Sequence, residues 1–345
     1  MAFINFQPSD YFNTLLYTGN DTDNRAITGV GFQPDWTWIK LRNTTQQHEL
    51  FDAVRGANKP ISSNATDAET TATNKLKSFD SDGFTLGTST SVNKIYNYAS
   101  WNWKANGQGS SNTDGSINTT YTSVSTTSGF SINLFTATGS AGTIGHGLNA
   151  VPKMILVKDT NGTGSWQVYH ASLGATKYLA LNENIAAGTA SNRWNDTTPT
   201  SSVFSIGSEW SSGKTLIAYC FAQKSGFSSM GSYVGNGSTD GSFIYTGMKP
   251  AFIIAKKYGA TGDWILWDNK RDGYNETLKR VYPNLSTAEE SSTAYGVDIL
   301  SNGFKLRGTA SNLWNGGNDT YIYMAFAEAP LVGNNNVPCT ARWKI

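Results

Sequence analysis

Charge is scarce in this chain. Charged residues make up 15% of 345 positions, and 26 Lys plus Arg nearly cancel 25 Asp plus Glu, where an average globular protein carries roughly 25% charge. Without a basic field to hold a phosphate backbone, nucleic acid is not an expected partner. Cysteine is scarcer still, with two residues. Cys220 stands in the apolar run 216–221 and reads as a small buried hydrophobe, Cys339 stands in the polar C-terminal stretch, and no disulfide framework is expected. No apolar run approaches the roughly 20 residues of a membrane span, so membrane insertion is not expected. The first ten residues lack the basic and apolar regions of a secretory leader. With three histidines, and no His-Glu-X-X-His, Cys-X-X-Cys, Gly-X-Ser-X-Gly or phosphate-binding loop, no catalytic, cofactor or metal site is expected. Absence of Gly-X-Y tracts and long heptads argues against a self-trimerising fibre shaft.

What is present is a repeat. Pro34 opens a run containing Trp36, Trp38 and Ile39 that closes at Lys40; Pro152 and Lys158 bracket Met154–Val157; Pro250 and Lys256 bracket Phe252–Ala255. Twelve residues after each lysine stands Asp52, His170 or Asp268, each ending a short apolar motif. Two spacings held over three copies mark an internal repeat, and bulk on alternate positions marks a core strand. Plentiful aromatics, β-branched residues and Gly or Asn turns, without a helical stripe, predict an all-β sandwich or barrel class. The similar stretches 67–71 and 286–290 read as one helical turn each.

Spacing gives the expected organisation. From opening proline to closing aromatic is 69 residues (Pro34 to Trp103), 69 (Pro152 to Phe221) and 76 (Pro250 to Phe326). The gaps between are 49 and 29 residues, and the excess falls in a Gly/Ser/Asn/Thr-rich tract. The reading is an N-terminal docking arm (1–17), repeats at 18–106, 129–226 and 227–330, a linker or added irregular strand at 107–128, and a C-terminal tail (331–345). Repeat one is expected to move relative to a pair formed by repeats two and three. Phe3, Ile4, Phe6, Tyr11 and Phe12 are the candidate docking residues of the arm.

Asp80 with Asp82, and Asp21 with Asp23, form close carboxylate pairs, but the third repeat has Ser301-Asn302-Gly303 where the first has Ser81-Asp82-Gly83. Turn chemistry therefore explains the first pair better than a metal or catalytic role. Trp194, Trp210 and Trp314 lie in polar stretches and are candidates for stacking on a sugar ring or packing at an interface. His146, between two glycines, is a further candidate contact.

The phrases TGVGFQPDWTWIK, SFDSDGFTLG, IGHGLNAVPKMILVK and DILSNGFKLRGTASNLWNGGNDTYIYMAFAEAP resemble a family of repeat proteins from tailed phages, many of them marine. The resemblance runs from Phe6 to Arg342. It implies a virion structural or tail-fibre protein with lectin-like, jelly-roll β-sandwich repeats, here three in tandem, and it carries no catalytic motif. The expected function is a non-enzymatic exterior head or tail appendage, assembled in the host cytoplasm. The expected partners are other virion proteins (capsid, tail or fibre adaptor) and further copies of the chain, with a trimer favoured. A host-recognition adhesin binding cell-surface glycans is the alternative, and a polysaccharide depolymerase is the third reading.

Overall fold

The computed structural model describes residues 6–308 and 313–329. The chain is all-β, with several antiparallel sheets. Each proline-led motif forms the same strand of a four-strand arrangement. In the first repeat a lead strand, Phe12–Thr18, pairs with a closing strand, Asn97–Trp103. The closing strand pairs with the proline-led strand Trp36–Leu41, which pairs with a return strand, Glu49–Asp52. Phe130–Thr136, Thr215–Ala222, Pro152–Asp159 and Gln167–His170 repeat that order, as do Ser228–Val234, Thr320–Ala327, Pro250–Lys257 and Trp264–Asp268. Register is held too: Trp36 faces Trp103, Met154 faces Phe221, and Phe252 faces Phe326.

Because side chains alternate along a strand, each large sheet has two apolar faces to cover. One face lies under a small sheet of its own repeat. Ile39 and Leu41 pack with Ile27, Phe84 and Leu86; Ile155 and Val157 with Ile144 and Phe204; Ile253 and Ala255 with Ile244 and Phe304. The other faces meet one another. Trp36, Trp38, Trp101, Trp103, Phe130, Leu156, Tyr219, Phe221, Phe252, Ile254, Met324 and Phe326 belong to a single cluster drawn from all three repeats. Trp36 stacks on Tyr219 at 4.6 Å between centroids, Phe12 on Phe326 at 5.2 Å, and Phe221 meets Phe326 edge-on at 6.0 Å. Burying one tryptophan here removes on the order of 200 Å² from water, about 5 kcal/mol of transfer free energy. Residues of repeat one stand in this cluster beside those of repeats two and three, so its large sheet is packed against both where a separate, mobile unit is expected.

The tract read as a linker or an added irregular strand takes the second form: Thr119–Ser125 is a strand added to the lead strand of repeat two, and its Thr, Tyr, Ser and Val residues suit a pleated surface despite their polarity. The expected docking arm is part of the fold. Phe12 is buried in the lead strand, and Phe6 packs edge-on against Tyr11 and Phe227, at 5.0 and 5.4 Å. Phe3 and Ile4 lie outside the described residues, as do the tail 331–345 and Cys339. Neither 67–71 nor 286–290 is helical, because their backbone groups pair across a seam with another repeat. Cys220 is fully buried in the core of repeat two, as its apolar run predicts.

Candidate binding surface and the buried polar seams

The seams between repeats carry a set of buried, perturbed titratable groups, and the repeat explains them together. Lys40 Nζ donates to the carbonyls of Gln46 (2.6 Å) and Ser286 (3.1 Å), the latter in repeat three. Lys158 Nζ donates to Asp159 O (2.6 Å) and to Thr66 O of repeat one (3.1 Å). Lys256 Nζ donates to Lys257 O (2.7 Å) and to Ile185 O of repeat two (2.8 Å). All three lysines are fully buried, and burial pulls each pKa down to about 8. Backbone bonds follow the same circuit: Gln46 N to Ser286 O, Gly164 N to Thr66 O and Gly262 N to Asn184 O, at 2.8–2.9 Å. So do ring donors at a shared offset from the proline: His48 Nε2 to Tyr282 O (3.0 Å), Trp166 Nε1 to Ser62 O (2.9 Å) and Trp264 Nε1 to Ala180 O (2.8 Å). Repeat one reaches to three, three to two, and two to one. The ring closes.

The column Asp52, His170, Asp268 closes a second circuit. Tyr219 Oη of repeat two donates to Asp52 Oδ2 at 2.6 Å, and Trp101 Nε1 of repeat one donates to Asp268 Oδ2 at 3.1 Å. Each carboxylate also pairs at 2.6 Å with an arginine three residues on, Arg55 or Arg271. Against the opposing effect of burial, the Asp52 charge holds the Arg55 pKa above its ordinary value. In repeat two the position of Tyr219 and Trp101 is taken by Met324 of the neighbouring repeat, which has no proton to donate. There the column residue is His170, Leu173 replaces the arginine, and the bond reverses: His170 Nε2 donates to Tyr323 O at 3.2 Å while Nδ1 accepts from Ser172 N. Burial lowers the His170 pKa to about 4, and burial with the nearby Lys40 charge holds His48 well below the imidazole range. Strongly shifted pKa values in a cleft suggest catalysis. Here the lysine and histidine shifts follow from burial in a closed seam, where every one of these groups makes a structural hydrogen bond.

The tryptophans that were candidates for sugar stacking or interface packing, and the candidate contact His146, are all buried. Trp194, Trp314 and His146 are buried to 1% exposure or less, and Trp210 to 7%. Trp194 packs edge-on against Tyr169, and Trp314 lies against Trp267 and Phe304 in the core of repeat three. His146 is held between Thr200 O and Leu148 N. Trp194 ends a short helix, Ser191–Trp194, and Trp210 and Trp314 stand in bends or turns; in each a large ring fills the core beneath a polar stretch. The acidic turns are also structural. Asp82 accepts from the amides of Gly29 (3.0 Å) and Gly31 (2.6 Å), which lowers its pKa, while Asp23 and Asp21 pair with Lys77 and Lys94. Among the described residues no group of three or more His, Cys, Asp or Glu side chains could hold a metal ion.

Tyr96 and Tyr274 are exposed singly, and two exposed aromatics stand together on the small sheet of repeat three. Phe243 is 45% exposed and Tyr245 68%, flanking the buried Ile244 on the edge strand Phe243–Tyr245. The Phe243 ring lies over Gly303, where a Cβ would come within 3.1 Å of Cε2. Beside it Lys305 pairs with Asp240 at 2.7 Å and Arg307 with Asp298 at 2.6 Å, so the face is aromatic with its charges internally matched. Its counterparts are small. Ile27 and Ile144 occupy the place of Ile244, each facing a phenylalanine, and their neighbours are Ala26 with Thr28 and Thr143 with Gly145. Sequence reasoning missed this pair, although alternation about the shared isoleucine would have found it.

A family model described as a domain of unknown function (DUF7483) matches residues 7–330. The chain belongs to this family. The one match spans all three repeats, in keeping with the core they share. No curated protein and no solved structure matches the chain. Among the described residues no helix is long and apolar enough to cross a membrane.

Proposed function

We propose that the chain is a non-enzymatic structural protein of a tailed-phage particle, an exterior head or tail appendage of three lectin-like β-sandwich units. The observation that carries the reading is the closed circuit of seam bonds. One buried lysine of each repeat is bonded to a carbonyl of the next, and ring closure gives a rigid body with a near-neutral surface. Such a body suits mechanical attachment to other virion proteins, whether capsid, tail or fibre adaptor, and its trimerisation would set three rings at one docking point. The test is quantitative mass spectrometry with immunogold labelling of purified particles. A fixed stoichiometry and a regular label position are expected; absence from gradient-purified particles overturns the reading.

A second reading is favoured by Phe243 and Tyr245. An adhesin needs exposed rings with polar groups alongside, and this face supplies both. It places glycan contact on a sheet face and not on Trp194 or Trp314.

A further inference from the structure

The outer edge of the small sheet exists three times, and the three copies differ in what stands beside it. In repeat two that edge is Gly142–Gly145, and an earlier stretch of the chain closes it. Ile117 N donates to Thr143 O (3.0 Å), Thr143 N donates to Ser116 Oγ (2.9 Å), and Ile117 joins Ile144 in the core. In repeat one the edge is Arg25–Thr28, where Ala26 and Thr28 are small and Arg25 sets a charge on the strand, a common guard of a free edge. In repeat three it is Phe243–Tyr245, the last strand in its sheet, with two exposed rings.

Leu306 N donates to Ser242 O (3.1 Å) and Thr246 N to Asn302 O (3.0 Å), so residues 242, 244 and 246 turn their backbone groups into the sheet. The N–H and C=O of Phe243 and Tyr245 therefore face out. Thr143, which stands in the place of Phe243, uses the same two groups to hold Ser116 and Ile117. Among the described residues nothing bonds those of Phe243 or Tyr245. An unpaired edge beside exposed rings is a template for another strand, and this one is its own complement. Two copies set antiparallel about Ile244 place Phe243 opposite Tyr245 of the partner subunit, twice. Both pairs have outward backbone groups, so each exchanges two N–H···O bonds, and each sets a phenylalanine beside a tyrosine on the outer face. We infer that this edge is a two-fold contact with a second copy of the chain, joining their small sheets into one. Lys305 and Asp240 are matched within each copy, so no net charge opposes the approach. The strand is short, and a weak, concentration-dependent dimer is expected. A two-fold contact pairs chains and cannot close a ring of three, so it is separate from the trimer proposed above. The inference concerns the edge and does not rest on the adhesive reading of its rings, which glycan binding tests on its own.

The test is sedimentation equilibrium of the full chain from micromolar to millimolar concentration, where the parent is expected to approach the mass of a dimer. Phe243→Glu/Tyr245→Glu puts like charges opposite each other in both pairs and is expected to weaken association tenfold or more. Phe243→Glu/Tyr245→Lys differs from it at one position, puts opposite charges face to face, and is expected to restore the dimer. Both variants should keep the parent's Tm at micromolar concentration, since the sister repeats carry Ala, Thr or Gly at these positions. A parent chain that stays monomeric over the whole range overturns the assignment. So does association of any order that Phe243→Glu/Tyr245→Glu leaves unchanged. A Phe243→Glu/Tyr245→Lys chain that associates no better than Phe243→Glu/Tyr245→Glu overturns it too, because the two-fold register about Ile244 is then not the one that joins the copies.

Discussion

The seams and the outer faces of the small sheets are made from the same repeat, and they have diverged in different ways. At the seams, side chains change while the bond is kept. Asp52 and Asp268 accept hydrogen bonds from Tyr219 and Trp101, whereas His170 turns the donor round to meet a carbonyl where Met324 has none to give. The paired arginine disappears together with the carboxylate. On the outer faces nothing compensates: Ala26, Thr143 and Phe243 share a position and have no common role. Compensated change marks positions that hold the ring together. Uncompensated change marks surface free to acquire a separate task.

The comparison breaks most visibly at Asp268. Replacing it by Ala leaves Arg271, whose side chain is fully buried, with only the longer carboxylate contact to Glu289 (3.4 Å), and leaves Trp101 Nε1 without an acceptor. A loss of about 3–5 kcal/mol is expected, read as a lower urea midpoint at unchanged slope. His170→Ala removes a neutral bond from the equivalent place and should cost about 1–3 kcal/mol. Equal costs for the two would refute the argument that the charged and neutral columns are different solutions to one problem.

Acid sharpens the same contrast. His170 has a folded pKa of about 4 against an unfolded value near 6.5. Between those values the unfolded chain binds a proton that the folded chain does not, so falling pH favours unfolding. The contribution is fully present above pH 6.5 and is lost as pH falls through 4, about 3 kcal/mol in all. His48 and His146, both lowered chiefly by burial, add to the loss in the same direction. His170→Gln should flatten the decline in Tm from pH 6.5 to 4; an unchanged slope would show that His170 is not held neutral by the seam.

Much of this was legible in the sequence, for a physical reason. Period-two bulk at Trp36, Trp38 and their counterparts states which face of the strand is buried, and a repeated spacing states that the burial recurs. What the strand packs against is a tertiary fact, and no local pattern encodes it. The closing lysines read as strand ends when they are ammonium groups held by carbonyls of the next repeat. Polar surroundings made Trp194 and Trp314 look exposed, because a loop's composition reports the backbone's need for turns and not the direction of one large ring. Phe12 read as a docking residue because it stands among apolar residues in a short lead ahead of the first motif, and here it supplies a strand.

The smallest effect on stability is the one that separates the regions best. Phe243 and Tyr245 stand at positions where the sister repeats carry Ala, Thr or Gly without loss of the small sheet, so Phe243→Ser with Tyr245→Ser should move stability by no more than about 0.5 kcal/mol. If that face is an adhesive one, the same variant should lose binding to host cells or to immobilised surface glycans, with particle incorporation unchanged. A large fall in Tm would instead place the two rings among the packing residues, and the division between compensated seam and free surface would fail in the repeat where it is drawn most clearly. Unchanged cell binding at unchanged Tm would leave the division standing and remove the adhesive role from this face.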